Sequence, residues 1–348
     1  MKKQKTGVLL VNLGTPDSPK RGDVRKYLNE FLTDGRVIDI PAAPRQFLVR
    51  GLIGPFRSGS SAKMYKAIWD DTTGSPLMHY SLELIKKLKN VFAADPETEH
   101  YELFLAMRYQ SPSLTDVLAE MKKKLFDRII IVPLFPQYAS ASTGSIHQKV
   151  MEIVGKWWEV PNINFINSYY DHPKMIKIFA DNGRKHNIES YDHILFSFHG
   201  LPESQLKKAS KDTEANHCLQ NENCCQQLTD KNKFCYSAQC HATAQAIVKE
   251  LGLTKEQYSI CFQSRLGPDP WVKPYTSDII EHLAEKGVKR ILCFCPAFVA
   301  DCLETIFEVS EEYQEEFEEA GGEKIQLVES LNDKDEWVDC MKEIILGV

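Results

Sequence analysis

Three groups of side chains in this 348-residue sequence have the types and spacing to do chemistry. The first is His199, which follows the apolar run Ile194-Leu-Phe-Ser-Phe198 and precedes Gly200-Leu-Pro202. An imidazole takes up a proton near neutral pH, and a residue just past a sheet strand lies where open α/β sheets bind their ligands. On position alone, a packed or loop histidine is the competing reading. The second group is acidic. Glu304, Glu308 and Glu312 recur at every fourth residue after Cys295-Pro296. On an α-helix such carboxylates drift slowly around one face, and on a π-helix they line up better. Like charges at that spacing cost a few tenths of a kcal/mol per pair, a cost that a bound cation reverses. A solvated acidic face accounts for Glu315, Glu316, Glu318 and Glu319, whereas Glu304 lies among Phe298, Leu303, Ile306 and Phe307. One imidazole and one carboxylate suit proton transfer or transient binding of divalent iron or zinc, and are too few for a permanent metal cage.

The third group is a concentration of thiols. Of ten cysteines, Cys218, Cys224, Cys225, Cys235 and Cys240 fall within 23 residues. A signal sequence is absent by pattern, so a reducing cytoplasm is expected, where structural disulfides are rare and clustered cysteines suggest metal. The intervals are five, zero, nine and four residues, and only Cys235-x4-Cys240 fits the usual paired spacing of zinc ligands. An iron–sulfur cluster needs four thiolates with looser spacing, and five are present. His217 and His241 keep a Cys/His zinc site in play, and plain buried thiols are the third reading. Cys261, Cys293, Cys295 and Cys340 sit in or beside apolar runs and read as core thiols.

The elements that must position these residues are short apolar runs with amphipathic segments between them. Val8–Leu13, Leu103–Met107, Ile129–Phe135, Ile163–Ile166, Ile194–Phe198, Ser259–Phe262, Ile291–Phe294 and Ile325–Val328 are such runs, most of them apolar on both faces, as buried parallel strands are. Helices are expected from Ser81 carrying Leu82, Ile85, Leu88 and Phe92, from Ser113 over Val117–Leu125, and from Thr276 to Lys286. The alternation predicts an α/β fold of two Rossmann-like domains, 1–170 and 171–348, each with a parallel four-stranded sheet and with the active site in the cleft between them. There is no G-x-G-x-x-G after the first strand and no P-loop, so neither a dinucleotide nor an NTP is indicated. With 42 Lys+Arg against 48 Asp+Glu the net charge is −6, which removes a general case for nucleic-acid binding. No run approaches a membrane span.

Two segments break the alternation. Residues 201–240 form a polar, cysteine-rich insertion. Ile40–Trp69 carries Arg45, Arg50, Arg57, Lys63 and Lys66, no acidic residue, and exposed-looking Phe47, Leu48, Leu52, Ile53 and Phe56. Such a lip suits a membrane surface or a flat apolar molecule with peripheral carboxylates, and its bland alternative is a long surface loop.

Together these stretches resemble ferrochelatase, the enzyme family that inserts iron(II) into a porphyrin. The resemblance rests on Leu10-Val-Asn-Leu-Gly-Thr-Pro16, Met107-Arg-Tyr109, Pro133-Leu-Phe-Pro-Gln-Tyr138, Ser142-Thr-Gly-Ser145, Phe196-Ser-Phe-His-Gly-Leu-Pro202, Phe262-Gln-Ser-Arg-Leu-Gly-Pro-Asp-Pro-Trp271 and Phe298-Val-Ala-Asp-Cys-Leu-Glu-Thr305. It implies a lyase that makes haem from Fe2+ and protoporphyrin IX with release of two protons. His199 and Glu304 would be the paired catalytic residues that also receive the metal, with Glu308 and Glu312 continuing an acidic metal or proton path along a π-helical segment. It also places Leu13, Arg57, Tyr65, Arg108, Tyr109 and Trp271 around the macrocycle, with Arg57 for a propionate. Many relatives have His where this chain has Cys302. Animal members bind a [2Fe-2S] cluster mainly through C-terminal cysteines; the internal group here resembles a bacterial subset and implies a [2Fe-2S] cluster on four of the five clustered thiols. The expected setting is cytoplasmic with peripheral membrane contact. The rival readings are a coproporphyrin or cobalt chelatase of the same fold, and a non-catalytic haem or iron–sulfur binding protein.

Overall fold

The computed structural model describes residues 3–211, 213, 217–220 and 223–348. Two compact units emerge, one of Met1–Phe135, Ala139–Asn167 and Asn332–Val348, the other of Pro136–Tyr138 and Ser168–Leu331. In the first, β1 (Thr6–Asn12), β2 (Tyr101–Met107), β3 (Arg128–Pro133) and β4 (Asn162–Phe165) form a parallel sheet in the order β2-β1-β3-β4. Every residue of β1 is buried, which is why its run is apolar on both faces. Leu9, opposite Phe104 on one side and Ile131 on the other, anchors a core with Leu118, Met121, Ile146 and Val150.

Helix boundaries follow their caps. Ser113 accepts the Asp116 backbone N–H at 3.1 Å and starts the helix Leu114–Lys123. The preceding helix departs from the sequence expectation, running Pro76–Ala94 with Ser75, not Ser81, at its N-terminal boundary. Ser81 lies inside, where its hydroxyl donates to the Leu77 carbonyl and accepts from Asn12, so a residue read as a cap ties the helix to the end of β1. The helix Asp335–Leu346 packs with the first unit, where the sequence division at 170/171 had set it in the second. Lys342 reaches Asp95 at 2.7 Å and Lys87 reaches Asp335 at 3.0 Å, while Trp337, Met341 and Ile345 are buried.

Residues 42–68 are helical, in three consecutive pieces: Ala42–Phe47, the π-helix Leu48–Ile53, and Gly54–Ile68. Phe47 and Phe56 are 73% and 78% exposed, and Leu52 is also exposed. Leu48 and Ile53 are half-buried, because Val49 turns that side of the π-helix inward.

The second unit repeats the plan. Strands β5 (His193–His199), β6 (Tyr258–Gln263), β7 (Arg290–Phe294) and β8 (Lys324–Leu327) form a parallel sheet in the order β6-β5-β7-β8. Leu195, Cys261, Ile280, Ile291, Cys293, Val309, Phe317 and Ile325 make its core, so three of the four remaining thiols, Cys295 included, are packing groups. Cys340 is buried in the last helix. In each sheet the chain reverses direction across the first strand, between β1 and β3 and between β5 and β7. A crevice beyond the carboxyl ends of such neighbours is where open α/β sheets bind ligands.

Candidate active site

His199 is the last residue of β5, opposite Gln263 of β6 and beside the switch point of the second sheet. Its Nδ1 stands 2.6 Å from the Gly200 carbonyl oxygen. A carbonyl can only accept, so Nδ1 carries the proton and Nε2 keeps the lone pair. The Gly200 N–H donates to the Gln263 carbonyl at 2.8 Å, and a Cβ at Gly200 would stand 2.8 Å from that oxygen and 3.1 Å from the Trp271 ring. Glycine is required by this close approach. Trp271 and Phe298 flank the imidazole, each with ring centroids 6.4 Å away. The Trp271 indole N–H is buried without an acceptor among the described residues.

Glu304 and Glu308 stand on the ten-residue π-helix Leu303–Glu312, which follows β7. Gln263, 1% exposed, joins this helix to β5 and β6. Its side-chain nitrogen donates to the Glu304 carbonyl at 2.7 Å and to the Glu308 carboxylate at 3.0 Å, while its oxygen accepts from Ser197 at 2.7 Å. Ser264 and Tyr313 also donate to Glu308, at 2.6 and 2.8 Å. Three neutral donors thus hold this carboxylate. Cys302 is buried; burial, then the Glu304 charge, drives its thiol pKa well up. Glu312 is at the exposed end of the run, its pKa raised by partial desolvation and then by Glu308 and its acidic neighbours. Gln263 was quoted in the sequence only as part of a motif. Its hub role has no signature in type or spacing, because the partners lie on three separate elements.

The clustered thiols divide. Cys218, Cys224, Cys225 and Cys235 line one cavity of about 380 Å³, together with His217, Asp230 and Phe234. Cys224 and Cys225 Sγ are 3.5 Å apart, and Cys225 and Cys235 Sγ 3.9 Å. Burial, with Cys225 and Cys224 beside it, raises Cys218 to about 11. Cys235 shifts down, because the Cys225 thiol and then the Ala238 backbone N–H donate to it against the cost of burial. Cys240 does not line this cavity; it lies fully buried in the helix Tyr236–Leu251, against the Tyr236 hydroxyl. Among the described residues no group of three or more His, Cys, Asp and Glu side chains is arranged to hold a metal ion. The thiols are gathered without forming a finished cage.

In the first unit, Leu13 follows β1 and its carbonyl accepts the Tyr109 N–H at 2.9 Å. Gly14, at φ +113°, has no room for a side chain, since a Cβ would meet the Tyr109 oxygen at 2.0 Å. Arg57 is exposed in the basic helical segment, and Tyr65 is buried edge-on to Tyr27 at 6.2 Å. Arg108 and Tyr109 turn inward: the guanidinium pairs with Asp34, and the fully buried Tyr109 gives its hydroxyl to the same carboxylate at 3.0 Å.

A two-sheet α/β protein with an imidazole at a strand end beside a switch point and a helix of carboxylates following the neighbouring strand is thereby defined. Its fold is shared by the solved structure of SirB from Bacillus subtilis with Fe3+, which matches at TM-score 0.53 and 10% identity over 97% of this chain and 95% of that one. The sequence profile of the ferrochelatase family matches residues 5–347. The ferrochelatase of Legionella pneumophila strain Lens is 43% identical over 97% of this chain and 98% of its own length, and that of Pseudomonas fluorescens 40% identical over 96% and 95%. The chain belongs to the ferrochelatase family, as the sequence motifs implied, and is an enzyme of the metal-chelatase class with Fe2+ as a substrate. No helix among the described residues is long and apolar enough to cross a membrane.

Proposed function

We propose that this protein inserts Fe2+ into protoporphyrin IX, with His199 as the base and Glu304 as its carboxylate partner. The observation that carries the reading is the 2.6 Å contact between Nδ1 and the Gly200 carbonyl: the oxygen accepts, so in the neutral ring Nδ1 holds the proton and Nε2 has a lone pair for a pyrrole proton. A planar porphyrin points its nitrogen lone pairs inward, and distortion supported by remote contacts exposes them. Glu304 stabilises the imidazolium that results and, with His199, receives the iron. Glu308 and Glu312 extend the carboxylates toward solvent and carry metal in or protons out. Leu13, Arg57, Tyr65 and Trp271 contact the macrocycle; Arg57, exposed and without an ion pair among the described residues, meets a propionate. Arg108 and Tyr109 act one layer behind, through Asp34. The test is conversion of protoporphyrin fluorescence to haem by the purified protein with iron(II). His199→Ala and Glu304→Gln are expected to abolish turnover, and full activity in His199→Ala would overturn the assignment. Coproporphyrin competing better than protoporphyrin would move the substrate, not the chemistry.

A second proposal concerns the thiols. Cys218, Cys224, Cys225 and Cys235 hold a [2Fe-2S] cluster; their convergence on one cavity and their all-sulfur donor set support it, and the place of Cys240 in a helix interior sets that residue apart. Such a cluster supplies one-electron redox chemistry and cross-links a polar segment. Anaerobically purified protein should show cluster absorbance that Cys218→Ser, Cys224→Ser, Cys225→Ser and Cys235→Ser each abolish and Cys240→Ser retains. Colourless protein with stoichiometric zinc would replace the cluster by zinc at the same thiols. The protein works in the cytoplasm, with the helical segment 42–68 resting on the membrane surface.

A further inference from the structure

The carbonyl that closes the His199–Gly200 peptide accepts a hydrogen bond from outside the sheet. Tyr236, the first residue of the helix Tyr236–Leu251, donates its hydroxyl to the His199 carbonyl at 2.8 Å. The other side of the same peptide is held by the Gly200 N–H on the Gln263 carbonyl, also at 2.8 Å. One residue further on, the Leu201 carbonyl takes the Val272 N–H at 2.9 Å. Gly200 has no side chain to hold it, and these anchors fix the direction of its carbonyl, the oxygen that Nδ1 of His199 meets. Tyr236 is 7% exposed, and its helix is pinned nearby: Gln239 accepts the Tyr138 N–H at 2.8 Å and Thr243 donates to the Tyr170 carbonyl at 2.8 Å. The hydroxyl proton of Tyr236 is committed to His199. Cys240, one helical turn along, is fully buried.

We propose that Tyr236 is a positioning residue for His199. The hydrogen bond from the Tyr236 hydroxyl to the His199 carbonyl, with the Gly200 N–H on Gln263, keeps the Gly200 carbonyl on Nδ1–H and leaves Nε2 free. Because Tyr236 directly follows Cys235, the cysteine-rich segment and the imidazole share one rigid link. The inference rests on the reading of His199 as the proton acceptor.

The experiment is steady-state kinetics of the holoenzyme with iron(II) and protoporphyrin, alongside ¹⁵N spectra of histidine-labelled protein. Tyr236→Phe keeps the ring and its packing and removes only the donor. A roughly tenfold fall in kcat is expected, the size of one neutral hydrogen bond, with KM for porphyrin unchanged. The His199 imidazole shifts should move from a single tautomer to a mixture, which a general loosening of the core would not produce. Wild-type kcat in Tyr236→Phe, or a loss carried in KM with the tautomer unchanged, overturns the inference. If His199→Ala retains activity, it is the acid–base reading that fails, and the imidazole shifts of Tyr236→Phe still decide what Tyr236 does to the ring.

Discussion

Asp34 shows what a single buried carboxylate is asked to do. It accepts from the Arg108 guanidinium, from Ser145 at 2.6 Å, from Tyr109 at 3.0 Å and from the Arg36 backbone N–H at 2.8 Å. Burial pushes its pKa up, but the Ser145 and Arg36 hydrogen bonds and the Arg108 charge outweigh it and hold the carboxyl below its ordinary range. Removing one partner of a buried pair leaves the other charge without compensation. Asp34→Ala should therefore cost about 3 to 5 kcal/mol, read as a lower urea midpoint at unchanged m-value. Arg57→Ala, on an exposed side chain, should cost less than about 0.5 kcal/mol. At this scale the sequence was informative where a residue's place in the chain also fixed its place in space. His199 and Glu304 stood out because each follows an apolar run in the chain. It was silent where the partner was remote, since nothing near Arg108 points to a carboxylate 74 residues away. The motif drew attention to Arg108 and Tyr109, and the structure turns both toward Asp34. Tyr236 and Gln263 escaped notice because a neutral polar side chain announces no chemistry.

The elements divide in the same way. All eight strands were legible as short apolar runs, most plainly β1, which is buried throughout, and least so β4 and β8, whose residues are mostly half-buried or exposed; their ends shifted by no more than two residues. The segment 42–68 was legible in composition but not in form. Its basic residues and large apolars were plain, yet glycines and prolines hid three successive helical pieces. Helix matters to the argument, since it puts exposed Phe47, Leu52 and Phe56 beside exposed Arg50 and Arg57 on short, stiff supports. Such a surface should bind anionic vesicles. Co-sedimentation with phosphatidylglycerol vesicles is expected to exceed that with phosphatidylcholine and to weaken with salt, as polybasic attachment does. The double variant Phe47→Ser, Phe56→Ser should release most of the bound protein, each ring contributing about 1.5 to 3 kcal/mol of burial. Unchanged binding would assign this face to the porphyrin alone.

Over the whole chain, two sheets with the same strand order explain why one fold has two switch points, and why net charge is a poor guide to either. A value of −6 averages the basic segment with the acidic helix. The division into halves was legible from the count of strands, whereas the return of Asn332–Val348 to the first unit was not, being decided by a buried apolar face and two surface ion pairs. Stability of the whole has an acid limit that one histidine makes measurable. His147 is buried in the helix Ser145–Val154 with its ring 4.5 Å from that of Phe165. Burial, against a hydrogen bond with the Ile166 backbone, lowers its pKa from 6.5 to about 4. The unfolded chain therefore binds a proton at this site between those values and the folded chain does not. Its contribution is complete above pH 6.5 and is lost as the pH falls toward 4, because acid favours the state with the higher affinity for protons. The loss amounts to at most about 3 kcal/mol. Urea midpoints measured from pH 7 to pH 4 should fall, and His147→Gln, which cannot charge, should flatten part of that slope. An equal slope in the variant would transfer the acid sensitivity to other groups, His193 first, which is likewise lowered by burial and then by the charge of Lys286.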